Sequence, residues 1–242
     1  MDNKNAAYEK KVPWTIKDVV IALILVVVLI GVGSIVIGLA LIKGKTLSLS
    51  ALIITLVLQY VVIFFTVYFI AIRKRGGSWS DLGFRSFKFW GDLGIAVSAL
   101  VGVEIIVAIY SLILNLFHVI RPPDRAMEAV SLFVKSGGSG LLLAVGIVAI
   151  VAPVMEEMFF RGFIYAALRK RLGVGLAILI SSLLFAGFHL SLYDLVPLTI
   201  IGAALAYLYE KSDSLGPPII LHSLNNLLSV ILIYYSRNLP GV

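Results

Sequence analysis

The sequence contains no cysteine in its 242 residues. That absence excludes a thiol nucleophile, structural disulfides and cysteine-ligated metal sites, and it leaves the cellular compartment open. Chemistry that depends on a cysteine thiolate, as a nucleophile or as a metal ligand, is therefore not available to this chain.

Charged residues are also scarce, at 14% of the chain against about 25% in ordinary soluble domains. Hydrophobic residues make up 60%, and the mean hydropathy is +1.05. Runs of about 20 apolar residues, the length that crosses a bilayer, recur along the sequence. The sequence therefore predicts an all-α, polytopic transmembrane bundle, organised as a single membrane-embedded domain over 1–242 without a separate soluble domain.

Seven apolar segments are long enough to be read as spans. The first is too long for a signal-peptide core and has no small-residue cleavage site, so we expect it to be retained. Two polar stretches, 73–88 and 124–135, could each form an interfacial helix, and a re-entrant or interfacial helix would be an eighth element. The predicted spans are 19–42, 50–72, 90–117, 141–166, 174–190, 194–210 and 217–236.

Lys and Arg are distributed unequally between the two sides of the membrane in this predicted seven-span topology. Thirteen lie on the side of the N-terminal tail, and six lie on the other. Since cytoplasmic loops are enriched in these residues, we expect a cytoplasmic N-terminus, an external C-terminus and a location in the cell membrane. The formal net charge of +7 sits in short loops, so it indicates contact with membrane lipids and not with nucleic acid.

Ionisable and amide side chains interrupt three of the seven apolar segments, namely 141–166, 174–190 and 217–236. Such groups are costly inside a membrane and are functional-site candidates by default. Their occurrence on these three segments predicts one polar pocket shared between helices. The residues are Glu156, Glu157, Arg161, His189, His222 and Asn226.

The first of these segments carries two adjacent carboxylates with different expected roles. Glu157 and Arg161 are four residues apart, so they share a helix face in the order that favours an ion pair. Glu156 is rotated by about 100° around the helix axis from Glu157, so it is not part of this ion pair and is available for a different role. Pro153 cannot donate to the carbonyl of Ala149, which should loosen the helix near the site.

The other two segments supply imidazoles. A helical hairpin turning near Arg171 would place Glu156 opposite residue 186, within one turn of His189, where both could act as general bases on a water. His222 and Asn226 share a face and can both donate hydrogen bonds, as an oxyanion requires. Pro217 and Pro218 suit a last span that begins within the protein.

These residues carry a resemblance to a known family. Glu156-Glu157-x-x-x-Arg161, Phe185-x-x-x-His189 and His222-x-x-x-Asn226 are similar in order and spacing to three motifs of the CPBP, or Abi, family. That family includes CAAX proteases such as the Rce1-like prenyl endopeptidases, together with bacteriocin-processing enzymes. The motif-bearing core is about 141–236.

The resemblance implies an intramembrane glutamate-type endopeptidase that requires no cofactor or metal. It implies that Glu156 and His189 activate the water, and that His222 and Asn226 form the oxyanion hole. Glu157 and Arg161 would support them. The implied substrate is a membrane-associated peptide or protein, either lipidated or not.

Other readings of the same residues remain open. Glu156, His189 and His222 would suit a zinc protease, although no H-E-x-x-H helix is present. Ser139 lies in a Gly-x-Ser-Gly tetrapeptide typical of rhomboid proteases, but a flexible loop is the simpler interpretation. Buried hydrogen bonding in a non-catalytic immunity or binding protein is a further possibility, and Glu104 is the best support for a transporter.

Overall fold

The computed structural model describes residues 12–42, 48–119 and 125–238, and it contains helices without strands in these ranges. This confirms the all-α prediction. The helices are α1 (Ile16–Ile42), α2 (Leu49–Lys74), α3 (Phe89–Leu116), α4 (Arg125–Lys135), α5 (Gly137–Phe188), α6 (Leu195–Ser212) and α7 (Gly216–Asn238).

Within the described ranges, five helices are long and apolar enough to cross a membrane, namely α1, α2, α3, α5 and α7. The predicted span 141–166 lies within α5, which runs for 52 residues, and the span 174–190 lies within it except for its last two residues. The predicted span 194–210 coincides with α6, which is not among the five because its 18 residues include Glu210 and Lys211.

Helix α5 is a hairpin of two arms that meet at Gly173. This glycine has φ +79° and ψ 177°, a left-handed conformation that favours a residue without a Cβ. We call 137–172 the first arm and 174–188 the second arm. Phe160 on the first arm meets Phe185 and Phe188 on the second, with ring centroids 5.3 and 5.5 Å apart. The expected hairpin is therefore present, with its turn two residues beyond Arg171.

The polar segment 75–88 does not form the expected interfacial helix. It consists of turns and irregular chain, and Leu82 is fully buried. A Cβ on Gly162 would lie 2.5 Å from the Leu82 carbonyl oxygen, so only glycine allows this approach. The Leu215 N–H donates to the Gly83 carbonyl at 2.8 Å. This contact sits at the start of α7, which begins inside the protein as its two prolines suggested.

The cationic segments gather at one end of the bundle. The start of α1, the segment 75–88, the α5 hairpin turn and the α6–α7 turn all take part. The polar contacts are Arg75 Nη2 to Asp18 Oδ2 at 2.8 Å, Lys170 Nζ to the Val12 carbonyl at 3.0 Å, and the Arg85–Asp213 ion pair. This grouping matches the division of Lys and Arg between the two sides of the predicted topology.

Trp14 lies in this end of the bundle and is fully buried. Its ring stacks on Phe163 at 5.6 Å, and its Nε1–H donates to the Phe163 carbonyl at 2.9 Å. A tryptophan near a span end is typical of an interfacial anchor, and Trp90, which is 81% exposed, is compatible with that role. Trp14 instead packs in the core. Its contacts with Phe163 attach the segment that precedes α1 to helix α5.

Candidate active site

The first arm of α5 departs from regular α-helix on both sides of the two glutamates. Residues Val145–Val151 and Met158–Tyr165 are wound as π-helix, flanking Ala152–Glu157. In the first π turn the Ala152 N–H donates to the Ile147 carbonyl, five residues back. The next donor in this register would be the N–H of residue 153, which proline lacks. The carbonyl deprived of its donor is therefore that of Val148, not the expected Ala149.

Asn226 on α7 takes the place of that missing donor. Its side-chain Nδ2 donates to the Val148 carbonyl at 2.9 Å. A buried carbonyl without a partner is costly, so this bond both satisfies α5 and orients the amide. Asn226 is half-buried, and its Nδ2 has a second proton.

Glu157 is the centre of the buried network. Its carboxylate accepts from Arg161 Nη1 and from His222 Nδ1, both at 2.8 Å through Oε1. Arg161 Nη2 also donates to the Gly202 carbonyl on α6 at 3.1 Å. Glu157 and Arg161 are both fully buried. The pairing of these two residues is as predicted, whereas the additional bond from His222 was not expected.

The bond to Glu157 defines the orientation of His222. A carboxylate oxygen only accepts, so the proton lies on Nδ1 of the imidazole. The other nitrogen, Nε2, then points toward Glu156 and lies 3.9 Å from its Oε2. His222 thus stands between the two carboxylates, with one nitrogen directed at each.

Glu156 is bound more loosely than its neighbour. Its Oε1 accepts from the Tyr60 hydroxyl at 3.3 Å, and its side chain is 14% exposed. Its buried Oε2 has no hydrogen-bond partner among the described residues. Glu157 Oε2 also has no partner there, so the two carboxylates differ in exposure and in how firmly Oε1 is held, and not in having an oxygen without a partner.

His189 lies at the exposed end of the second arm of α5. Its Nδ1 is 2.9 Å from the Phe185 carbonyl, which accepts only, so Nδ1 carries the proton and Nε2 is left as a base. Within the described ranges it forms no hydrogen bond or ion pair with Glu156 or Glu157. His189 therefore lies at the edge of the network and, unlike His222, makes no direct contact with a glutamate.

Phe185 links these groups through its buried ring. The ring centroid lies 4.8 Å from that of His189 and 5.6 Å from that of His222. The guanidinium carbon of Arg161 lies 4.6 Å from the same centroid. A cation over an aromatic face is stabilised by the ring quadrupole, so Phe185 both separates the imidazoles and supports the buried charge.

The remaining candidates lie outside this network. In the part of the chain that the structure describes, no three His, Asp or Glu side chains are grouped closely enough to hold a metal ion. Ser139 is exposed in the first turn of α5 and not in the expected flexible loop. Glu104 on α3 is half-buried, and it is not a partner of Arg161.

Sequence reasoning missed three participants. Tyr60 could have been noticed as a tyrosine within the apolar run of α2, but nothing in the sequence connects it to Glu156. The carbonyls of Val148 and Gly202 carry no side-chain signal at all. Their involvement depends on how the helices pack.

The fold and this network define a polytopic helical membrane protein with a buried glutamate–histidine cluster. Residues 138–228 match the family model described as Type II CAAX prenyl endopeptidase Rce1-like, and this segment contains all six motif residues. This match confirms the resemblance that the three motifs carry. The apolar helices and the match together identify an integral membrane protein.

One curated relative is the Bacillus subtilis (strain 168) protein named "Putative membrane peptidase YdiL". It is 36% identical over 84 residues, which is 35% of this chain and 34% of the relative. The match thus spans about a third of the relative's length. No solved structure matches the chain.

Proposed function

We propose that the protein is an intramembrane glutamate-type endopeptidase acting on a membrane-associated peptide or protein. The observation that carries this proposal is the buried network in which Glu156 Oε2 has no partner and faces His222 Nε2 at 3.9 Å. Glu157 Oε2 also has no partner among the described residues, but Glu157 is fully buried and its Oε1 accepts two bonds of 2.8 Å, whereas Glu156 is 14% exposed and its Oε1 accepts one bond of 3.3 Å. The Rce1-like segment supports the same activity.

In this mechanism Glu156 and His189 activate a water. A proton passes from the water to Glu156 Oε2 while His189 Nε2 accepts a hydrogen bond, and the water oxygen attacks the scissile carbonyl. Glu156 then returns the proton to the leaving amine. The tetrahedral intermediate collapses to a carboxylic acid and an amine, so one water is consumed for each bond cleaved.

The oxyanion would be held by donors on α7. Asn226 Nδ2 has one proton beyond the bond to Val148, and His222 can donate through Nε2 when it carries both protons. In that state His222 and Arg161 balance the two negative charges of Glu156 and Glu157. Donors aimed at a developing charge in a site of low polarity contribute strongly to catalysis.

The proposed site lies closer to the start of α7 than to the tip of the α5 hairpin. At 1.5 Å per residue, His222 is about 9 Å beyond the start of α7, whereas Glu157 is about 24 Å from Gly173. Because these two residues touch, the tip of the α5 hairpin extends roughly 15 Å past the start of α7. We infer access from that end, which the positive-inside rule assigns to the cytoplasm in the cell membrane.

The first test is cleavage of a peptide library by the purified protein. Glu156→Gln and His189→Ala should abolish cleavage while leaving insertion intact, because each removes a base acting on the water. Glu104→Gln is the matched control, since it removes another carboxylate from a membrane helix outside the network. Wild-type rates in Glu156→Gln would contradict the mechanism.

The same assay separates the remaining alternatives. Cleavage lost on treatment with a strong chelator would favour a zinc protease using Glu156, His189 and His222. Chelator-insensitive cleavage supports the glutamate mechanism. No cleavage of any peptide would favour a binding, immunity or transport protein.

The chain is also proposed to be one domain over 1–242, with its motif-bearing core at about 141–236. This proposal predicts a single cooperative unfolding transition for the chain.

A further inference from the structure

Among the described residues, Glu156 has one hydrogen-bond partner, the hydroxyl of Tyr60 on α2. Tyr60 is 8% exposed and lies near the middle of a largely apolar helix, next to Gln59. A buried tyrosine hydroxyl usually has a partner, and here that partner is the carboxylate proposed to act on the water. Tyr60 also lies outside the segment 138–228 that the family model covers.

The geometry of this contact determines which oxygen of Glu156 is available. The phenolic O–H donates and the carboxylate accepts, so Oε1 is occupied by Tyr60 at 3.3 Å. Because the two oxygens belong to one planar group, holding Oε1 against α2 directs Oε2 toward His222. Without the hydroxyl, the carboxylate could rotate about its terminal torsion, which has a broad energy minimum.

The length of the bond also bears on its role. A separation of 3.3 Å exceeds the usual 2.5–3.0 Å for an O–H···O bond, so this contact holds Glu156 without binding it tightly. Glu157, by contrast, is fixed by two bonds of 2.8 Å. A carboxylate that must take up a proton and release it has to keep this mobility.

We propose that Tyr60 is a positioning residue for Glu156, contributed by a helix outside the family-matched segment. Its hydroxyl holds Oε1 so that Oε2 meets the water attacking the substrate. This proposal rests on the endopeptidase function above and deepens it, because it adds α2 to the elements that complete the site.

The test compares Tyr60→Phe with Tyr68→Phe. Both substitutions remove one hydroxyl from the same helix, but Tyr68 packs through its ring on Phe64 and Trp79, and its hydroxyl has no hydrogen bond in the described part of the chain. Loss of a bond to a charged group should lower kcat about tenfold in Tyr60→Phe. KM and the unfolding midpoint of Tyr60→Phe should stay close to those of the wild type. Tyr68→Phe should change neither kcat nor KM.

A double-mutant cycle with Glu156→Asp separates positioning from a structural role. The shorter aspartate withdraws its carboxylate from the Tyr60 hydroxyl, so removing that hydroxyl should then cost less than threefold in kcat. An equal loss in both backgrounds, or a loss explained by a lower unfolding midpoint and a raised KM, would overturn the assignment.

The outcomes also distinguish this proposal from the function on which it rests. If the wild type shows no cleavage that depends on Glu156, both are overturned. If the wild type cleaves, Glu156→Gln does not, and Tyr60→Phe is as fast as Tyr68→Phe, then the endopeptidase stands and the role of Tyr60 alone is rejected.

Discussion

Arg161 shows how a permanent charge is accommodated in the apolar core. Its guanidinium is fully buried among Glu157, the Gly202 carbonyl and the face of the Phe185 ring. Burying a charge is costly unless it is paired and hydrogen-bonded. Nη1 and Nη2 have such partners here, whereas Nε has none among the described residues. Arg161 therefore connects α5 to α6 and fixes the position of Glu157. Glu157 in turn orients His222.

Replacing Arg161 by Met should be strongly destabilising. The substitution keeps the length of the side chain but leaves the Glu157 charge buried with less compensation, at a cost of about 3–5 kcal/mol in the free energy of unfolding. Arg85→Met is the matched control. Its ion pair with Asp213 is partly exposed, so its loss should cost under about 1 kcal/mol.

Unfolding of both variants in detergent, followed by circular dichroism, measures these costs. Similar midpoints for the two variants would show that the buried pair does not stabilise the fold as argued.

At the level of the helix, the interrupted hydrogen bonding of α5 couples it to α7. The π-helical register before Pro153 leaves the Val148 carbonyl without its helical donor, and Asn226 replaces that donor. Helix breaks are tolerated in membrane segments when a neighbouring helix satisfies the freed groups. Here the Asn226 amide that donates to the freed Val148 carbonyl is also a proposed oxyanion donor.

Replacing Pro153 by Ala should lower activity without lowering stability. The new N–H can donate to the Val148 carbonyl, and in doing so it competes with Asn226, whose amide then loses its orientation. We expect kcat to fall about tenfold, as for the loss of about one hydrogen bond, while the unfolding midpoint stays equal or rises. Pro197→Ala is the control, because Pro197 lies in the first turn of α6, where no helical donor is needed.

Peptide cleavage and thermal unfolding of the two variants provide the measurement. Unchanged kcat in Pro153→Ala would mean that the bond from Asn226 to α5 has no part in catalysis.

At the level of the whole molecule, segments distant in sequence assemble the two ends of the bundle. The cationic end combines the start of α1, the segment 75–88 and two helix turns. Tyr110 near the other end of α3 donates from its hydroxyl to the Tyr193 carbonyl in the turn between α5 and α6. The distribution of charge between these ends supports the proposed orientation.

Labelling of single cysteines tests this orientation directly, since the native chain contains no cysteine. Ser80→Cys lies in the segment 75–88, and Phe117→Cys follows α3 at a position that is 75% exposed. If the cationic end faces the cytoplasm, a membrane-impermeant maleimide should label position 117 in intact cells and position 80 only after lysis. The opposite pattern would invert the topology.

Much of the local arrangement could be predicted before the structure. Hydropathy gave the helical class, and the spacing of Glu157 and Arg161 gave their ion pair, because a helix of known pitch places residues four apart on one face. The hairpin about Gly173 was predicted within two residues. The number of membrane-crossing helices was predicted less well. Seven spans were expected, but two of them form the single helix α5, and α6 carries charges near its end and falls outside the five apolar helices.

The contacts between helices could not be predicted in the same way. Trp14 is a core residue although it precedes the first span, and Tyr60 meets a carboxylate 96 residues away. His222 bonds to Glu157, and Asn226 bonds to a backbone carbonyl that has no signature in the sequence. Each of these contacts depends on the rotation and depth of one helix relative to another.

By itself, the sequence determined which segments are helical and which polar side chains share a helix face, because both follow from local hydropathy and a fixed helical repeat. Only the tertiary structure decided which oxygen of Glu156 is held by α2 and which carbonyl of α5 is bound by α7. In an apolar medium many helix packings bury similar surface, so these pairings are selected by close fit and by the cost of an unpaired polar group.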